Sequence, residues 1–176
     1  MARRGQEIEH PVTGERIVFL DTAGETNGEL LRFELLVRPG GFVAAEHVHP
    51  KQEERFEILS GVAHFRIGGD ERDVQAGDKA MVLPGTAHVW WNAGGDELRA
   101  IVELRPALRI ESFFETLFGL GKAGKTNKKG LPNPLQLVVI GSEYRNEIRG
   151  AGIPFAIQWI AMATLAPIGR ALGYRA

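Results

Sequence analysis

From residue 15 to residue 104 the chain alternates apolar and polar positions in short runs, each closed by glycine, proline, asparagine or aspartate. Strict alternation over four to eight residues marks a half-buried strand, because successive side chains point to opposite faces. The pattern predicts strands over 15–20, 30–37, 42–49, 54–60, 62–67, 72–74, 78–83, 88–92 and 98–104. Thr13-Gly14, Asn27-Gly28, Arg38-Pro39-Gly40-Gly41, Gly68-Gly69-Asp70, Ala76-Gly77 and the Ala93-to-Asp96 segment separate them. Many short strands at regular turn spacing predict a β-sandwich or barrel.

The pattern changes near Pro106 to Ser112, and the remainder of the chain reads as helical. Ser112 with Glu115 three residues on has the form of a capping box. It predicts a helix through Phe118 that stops near Gly119 and Gly121. Residues 122–129 form a basic, glycine-punctuated loop. Asn133-Pro134 supplies an N-cap and a proline at the first helical position. The second helix is expected to reach about Arg149, with Leu137, Ile140, Gly141, Tyr144 and Ile148 on one face. Gly150 and Gly152 break it, and Pro154 opens a last helix in a stretch without a charged residue from Gly150 to Gly169. The organisation expected is 1–110 as a β-barrel and 111–176 as a helical extension.

Composition adds limits. The 176 residues suit one domain, or one domain with an extension, and 44% hydrophobic content supports a core. A net charge of -1 gives no general attraction to nucleic acid, which is not expected as a partner. The chain has no cysteine, so disulfides and thiolate chemistry are excluded. The segment MARRGQEIEHP lacks the apolar centre of a secretory signal, and a cytoplasmic protein is the expectation. Charge is uneven: up to Ser112 there are 13 basic and 19 acidic residues, and from Phe113 onward 8 basic and 3 acidic.

The chemistry lies in two stretches, Gly41 to Gly61 and Gly77 to Asn92. His47 and His49, two apart on a strand, place two imidazoles on one face. Past Pro50, Glu54 shares the inward parity of Phe56 and Ile58. Glu53 has the opposite parity and points out. His88 lies on a later aromatic strand. Two histidines and a carboxylate already form a divalent-metal set. Gly41, His47, His49, Glu54 and Gly61 meet every position of G-x5-H-x-H-x4-E-x6-G. Gly77, Gly85, His88 and Asn92 match G-x5-P-x-G-x2-H-x3-N, with Leu83 where the pattern has proline. These paired motifs resemble the two signatures of the cupin superfamily, over roughly residues 13 to 106. The departure at Leu83 touches a turn and no ligand.

The resemblance implies a mainly β fold, a cupin double-stranded β-helix or jelly-roll barrel, followed by a C-terminal α-helical extension. It implies one divalent metal ion on His47, His49, Glu54 and His88, with Fe(II) or Mn(II) favoured and Ni(II), Zn(II) or Cu(II) also compatible. By resemblance the leading activity is an oxidoreductase of the dioxygenase type on a small oxygen-chelating substrate, with Glu54 as catalytic base. A metal-dependent isomerase or lyase, and a small-molecule-binding module without turnover, are the alternatives. Of the other histidines, His64 reads as a surface residue and His10 as part of a mobile N-terminus without a partner. Phe56 and Trp90 read as core or pocket wall, and Asn92 as the holder of a turn or strand end.

The tail lies outside the resemblance. Twenty helical residues would span about 30 Å, enough for a bilayer core. Pro154 and Pro167 shorten the clean helix to 153–166, about 20 Å, and Trp159 lies mid-helix rather than at an interface. The tail is therefore expected to pack on the barrel or on a second copy in a homo-oligomer such as a dimer. Peripheral contact with an anionic membrane surface is the further expectation for its basic, apolar end.

Overall fold

A computed structural model describes residues 2–176. Eleven strands and three helices follow one another along these residues. The strands are β1 (Glu7–His10), β2 (Glu15–Asp21), β3 (Leu31–Val37), β4 (His47–Val48), β5 (Glu53–Ser60), β6 (Val62–Ile67), β7 (Asp70–Gln75), β8 (Lys79–Val82), β9 (Ala87–Asn92), β10 (Leu98–Arg105) and β11 (Arg149–Gly150). The helices are α1 (Ile110–Lys122), α2 (Pro134–Glu143) and α3 (Phe155–Ala171). One antiparallel sheet has the order β1-β2-β3-β10-β5-β8, the other β11-β4-β9-β6-β7. The two sheets make the expected jelly roll, and the helical extension comes after it.

The alternation read from the sequence is the alternation of burial. On β5, Glu54, Phe56 and Ile58 are buried while Arg55 and Glu57 are exposed. On β9, His88, Trp90 and Asn92 are buried. Asn92 secures a strand end: its amide donates to the carbonyls of Val37 (2.9 Å) and Asp96 (2.8 Å) and its oxygen accepts from Gly94 N–H (2.9 Å). Gly61 closes the β5–β6 turn at φ 81°, where a Cβ would lie 2.9 Å from Leu98 Cα. Only glycine fits both demands.

The N-terminus departs from expectation. Residues 7–10 form an edge strand on β2, with Glu7 opposite Val18 and His10 opposite Glu15. His10 is fully buried, accepts from Thr13 N–H at Nδ1 (3.3 Å) and meets the Phe118 ring edge-on. Its partners come from the tail and from the turn before β2, so parity along one strand could not reveal them.

The helices correct several boundaries. Ser112 lies inside α1, which starts two residues earlier, and the N-cap Arg109 makes no side-chain cap. The apolar side chains Ile110, Phe113 and Phe118 set the start by docking on the barrel, and this contact overrides the capping signal. α1 also runs through Gly119 and Gly121 to Lys122. Gly121 faces His10, where an added Cβ would stand 2.6 Å from Nε2, whereas Gly119 faces open space. The glycine is there for close approach, not to end the helix. α2 starts as read, with Asn133 accepting from Gln136 N–H (3.0 Å), but it ends at Glu143 so that the chain can return to the barrel. α3 continues through Pro167 to Ala171. Pro167 and Ala163, whose carbonyl loses its helical donor, are both exposed, so water can take the missing bond.

One apolar core runs through both parts of the chain, from Phe19, Phe33 and Val102 in the sheets to Phe113 and Ile140 in the helices and Tyr144 just past α2. α3 packs mainly on α2 through Met162, Ala166 and Gly169. Its other sides leave Ile157, Trp159, Ile160 and Ile168 more than half exposed. Among the described residues no helix is long and apolar enough to cross a membrane.

The two α1 glycines should respond oppositely to alanine. Gly119→Ala should stabilise the fold by about 0.5–1 kcal/mol, the usual gain inside a helix. Gly121→Ala should destabilise it by about 1–3 kcal/mol through overpacking against His10. Urea midpoints of the two variants measure this, and equal shifts would contradict the packing of α1 on β1.

Candidate metal centre

Four side chains meet between the sheets. β4 and β9 pair with His47 opposite His88, which brings their rings to 4.2 Å between centroids. His49 follows β4 directly, and its carbonyl accepts from Gly85 N–H (2.9 Å), joining the two motif stretches. Glu54 enters from β5 in the other sheet. One donor atom from each of His47, His49, Glu54 and His88 lies within 4.8 Å of the others, and all four residues are buried. His88 Nε2 stands 2.9 Å and His49 Nε2 3.7 Å from Glu54 Oε2.

Backbone carbonyls orient the rings. Nδ1 of His47 lies 2.9 Å from Ala45 O, that of His49 2.6 Å from Glu147 O, and that of His88 3.2 Å from Thr86 O. A carbonyl only accepts, so each Nδ1 carries a hydrogen and donates. Each Nε2 is then the atom turned to the shared centre, which is the tautomer a metal ligand needs. Glu54 Oε2 and His88 Nε2 are buried without a well-formed hydrogen bond. Buried polar atoms left this way are costly, and a cation among them would satisfy them together. Three neutral imidazoles and a carboxylate fit a divalent ion, and the set does not choose among metals.

Electrostatics divides the three histidines. Burial, reinforced by the neighbouring His88 and His49, pushes the His47 pKa well below its ordinary value. Burial also lowers His49, although Glu54 opposes it. Burial works against charge on His88 too, but the adjacent Glu54 carboxylate outweighs it and raises the pKa. Burial would raise Glu54; the adjacent His88 ring 2.9 Å away, with His49 and His47 beyond it, overcomes this and holds it low.

Glu147 and β11 belong to the tail and were invisible in the sequence. β11 pairs Arg149 with Val48 and Gly150 with His47. Ala151 N–H donates to Glu46 O (3.1 Å). The return of the chain after α2 thus straps the metal-binding segment and supplies the carbonyl that holds His49. A backbone carbonyl can come from any residue, so no residue type announced it.

The centre opens into a cavity of about 550 Å³. Phe56 and Trp90 line it from the barrel, Phe114 and Leu117 from α1, Ile140 from α2, and Met162 from α3. Glu15 also lines it, and burial raises its pKa to about 7. Of the remaining histidines, His64 stacks on Trp91 (4.4 Å) and pairs with Asp73 at 2.7 Å, and neither His64 nor His10 joins the cluster.

Fold and site together define a small jelly-roll barrel with a buried cluster of nitrogen and oxygen donors suited to a divalent metal. Residues 33–103 match the family described as Cupin domain, and the barrel is a cupin domain with a helical extension. Among solved structures, the chain is similar to a predicted oxalate decarboxylase of Thermotoga maritima: 22% identity, TM-score 0.52, 60% of this chain and 99% of that one. It is also similar to oxalate decarboxylase of Lactobacillus farciminis in a formate complex: 19% identity, TM-score 0.50, 58% of this chain and 31% of that one. KdgF from Halomonas sp. matches at 16% identity and TM-score 0.47, over 53% of this chain and 79% of its own. Likeness at these identities concerns the fold. The chain matches no curated protein.

His49→Ala should lower metal affinity roughly 100-fold or more, while His64→Ala should leave it unchanged. Metal content after dialysis against a weak chelator measures both, and equal retention in the two variants would refute the assignment. The pH dependence comes from His88. Its raised pKa means that the metal-free centre keeps a proton there to higher pH than an ordinary imidazole would, and an entering ion must displace it. His47 and His49, already neutral in that range, release none. Affinity should therefore fall as pH drops through the raised His88 value, with up to one proton released per ion below it. Calorimetry in two buffers of different ionisation enthalpy counts that proton, and a flat affinity between pH 8 and about 6 would contradict it.

Proposed function

We propose that this protein is a metal-dependent oxidoreductase of the dioxygenase type, acting on a small substrate that reaches the ion through oxygen. The observation that supports it is a buried three-histidine, one-glutamate set opening into an apolar cavity. An ion held there supplies Lewis acidity and, as Fe(II) or Mn(II), one-electron chemistry. The chain's own groups do the rest. The apolar walls favour an organic substrate over water beside the ion. Glu54, held as a carboxylate, accepts the substrate proton. With its basicity lowered by three imidazoles it suits an already acidic O–H, such as that of an enol or a phenol. The oxalate decarboxylases among the similar structures act, by name, on a small dianion. Here Arg149 is the one cation on the cavity wall among the described residues, which favours a substrate of low charge.

Oxygen uptake by metal-loaded protein over a panel of diketones, catechols and flavonols tests the reading. Uptake with at least one class is expected, and Glu54→Gln should lower kcat by about 10²–10⁴-fold with that substrate. Product formed without uptake would replace the dioxygenase by a Lewis-acid isomerase or lyase. Saturable binding with no product would leave a small-molecule-binding module.

A further inference from the structure

The barrel supplies the metal ligands, but much of the chamber beside them is built by the tail. Phe114 and Leu117 of α1, Leu137 and Ile140 of α2, and Ile157 and Met162 of α3 all line the same cavity as His47, His49 and Glu54. The polar wall groups are mostly committed elsewhere. Glu46 accepts from Arg66 Nε (3.2 Å). The Gln158 amide donates to the carbonyls of Gly150 (2.9 Å) and Ile153 (2.6 Å). Arg149 Nε donates to Arg145 O (3.0 Å), and its guanidinium lies over the Phe155 ring at 3.7 Å. Glu15 is the remaining acid on the wall, and it is buried.

A polyol or a small polyanion entering this chamber would lose its hydration and find few partners in exchange. An apolar body would displace weakly held water from matching walls. We infer that the substrate is amphiphilic, with an oxygen-donor head at the His47–His49–Glu54–His88 centre and an alkyl or aryl body filling the chamber between the barrel and the three helices. This substrate class rests on the metal-centre reading and deepens it. It also gives the tail a task in recognition, since α1, α2 and α3 each contribute to the wall that grips the body.

Two hydroxamic acids separate head from body, because they carry the same two-oxygen chelating group. Acetohydroxamic acid has almost no body, and decanohydroxamic acid adds eight methylenes. Zn(II)-loaded full-length protein is titrated with each by calorimetry, alongside Ala161→Trp, which places an indole in the chamber from α3. The expected result is at least 100-fold tighter binding of the decyl compound to the native protein, well under the limit for burying eight methylenes. In Ala161→Trp the advantage should fall to 10-fold or less, with acetohydroxamic acid bound as before. That retained binding shows that the variant is folded and metal-loaded. If both compounds bind the native protein equally, the substrate class is overturned while the metal centre stands. If the decyl advantage survives in the variant, the chain lies on the exposed face of α3 and the inference is likewise overturned. If neither compound binds, the metal-centre reading fails and the substrate class with it. Should the variant lose both compounds, Leu117→Gln on α1 takes its place, with the same outcomes.

Discussion

The structure depends on three hydrogen bonds from imidazole Nδ1 to backbone carbonyls. Burying three histidines and a glutamate between apolar sheets is unfavourable unless their polar atoms are paired. The carbonyls of Ala45, Thr86 and Glu147 satisfy one side of each ring. That leaves the other nitrogen of each to face Glu54, and it sets the tautomer each ring takes once it is neutral. The centre is therefore a preorganised concave donor set, with His88 and Glu54 holding each other at 2.9 Å.

Two of these carbonyls lie two residues before the histidine they hold, so the local strand geometry provides them. The third comes from Glu147, 98 residues from His49. This long-range bond makes the helical extension part of the candidate metal site. The same return segment, β11, completes the edge beside β4, where the metal strand is only two residues long and could not pair stably alone. The core shared by β-sheets and helices shows the same dependence in packing: Ile110, Phe113, Phe118 and Ile140 are buried with the barrel residues and not in a layer of their own.

Two of the local signals that misled did so because tertiary contact outweighed them, and a third because water could replace the bond it removed. The Ser112–Glu115 capping box is unused because Ile110 is buried and draws the helix start toward the barrel. Gly121 does not stop α1, because what it provides is room for His10. Pro167 does not end α3, because the carbonyl it strands is on an exposed side. For Ser112 and Gly121 the residue type was read for its intrinsic preference, worth about 1 kcal/mol for a cap or a glycine, and packing decided otherwise.

Periodicity and spacing determined a sandwich or barrel of short strands, the inward parity of Glu54 and the shared face of His47 and His49, because strand geometry forces side chains two apart onto one face; His88 joined them only through the resemblance of the paired motifs. The N-cap at Asn133 was legible for a similar reason, since a side chain bonds its own helix a few residues on. The tertiary structure alone decided where the tail returns, which carbonyl holds His49, that residues 7–10 close a sheet edge over a buried His10, and that three helices wall an apolar chamber. Those features rest on backbone groups and on surfaces brought together from distant parts of the chain. A backbone carbonyl is the same in every residue, and an apolar helix face reads alike whether it covers a core, a cavity or nothing.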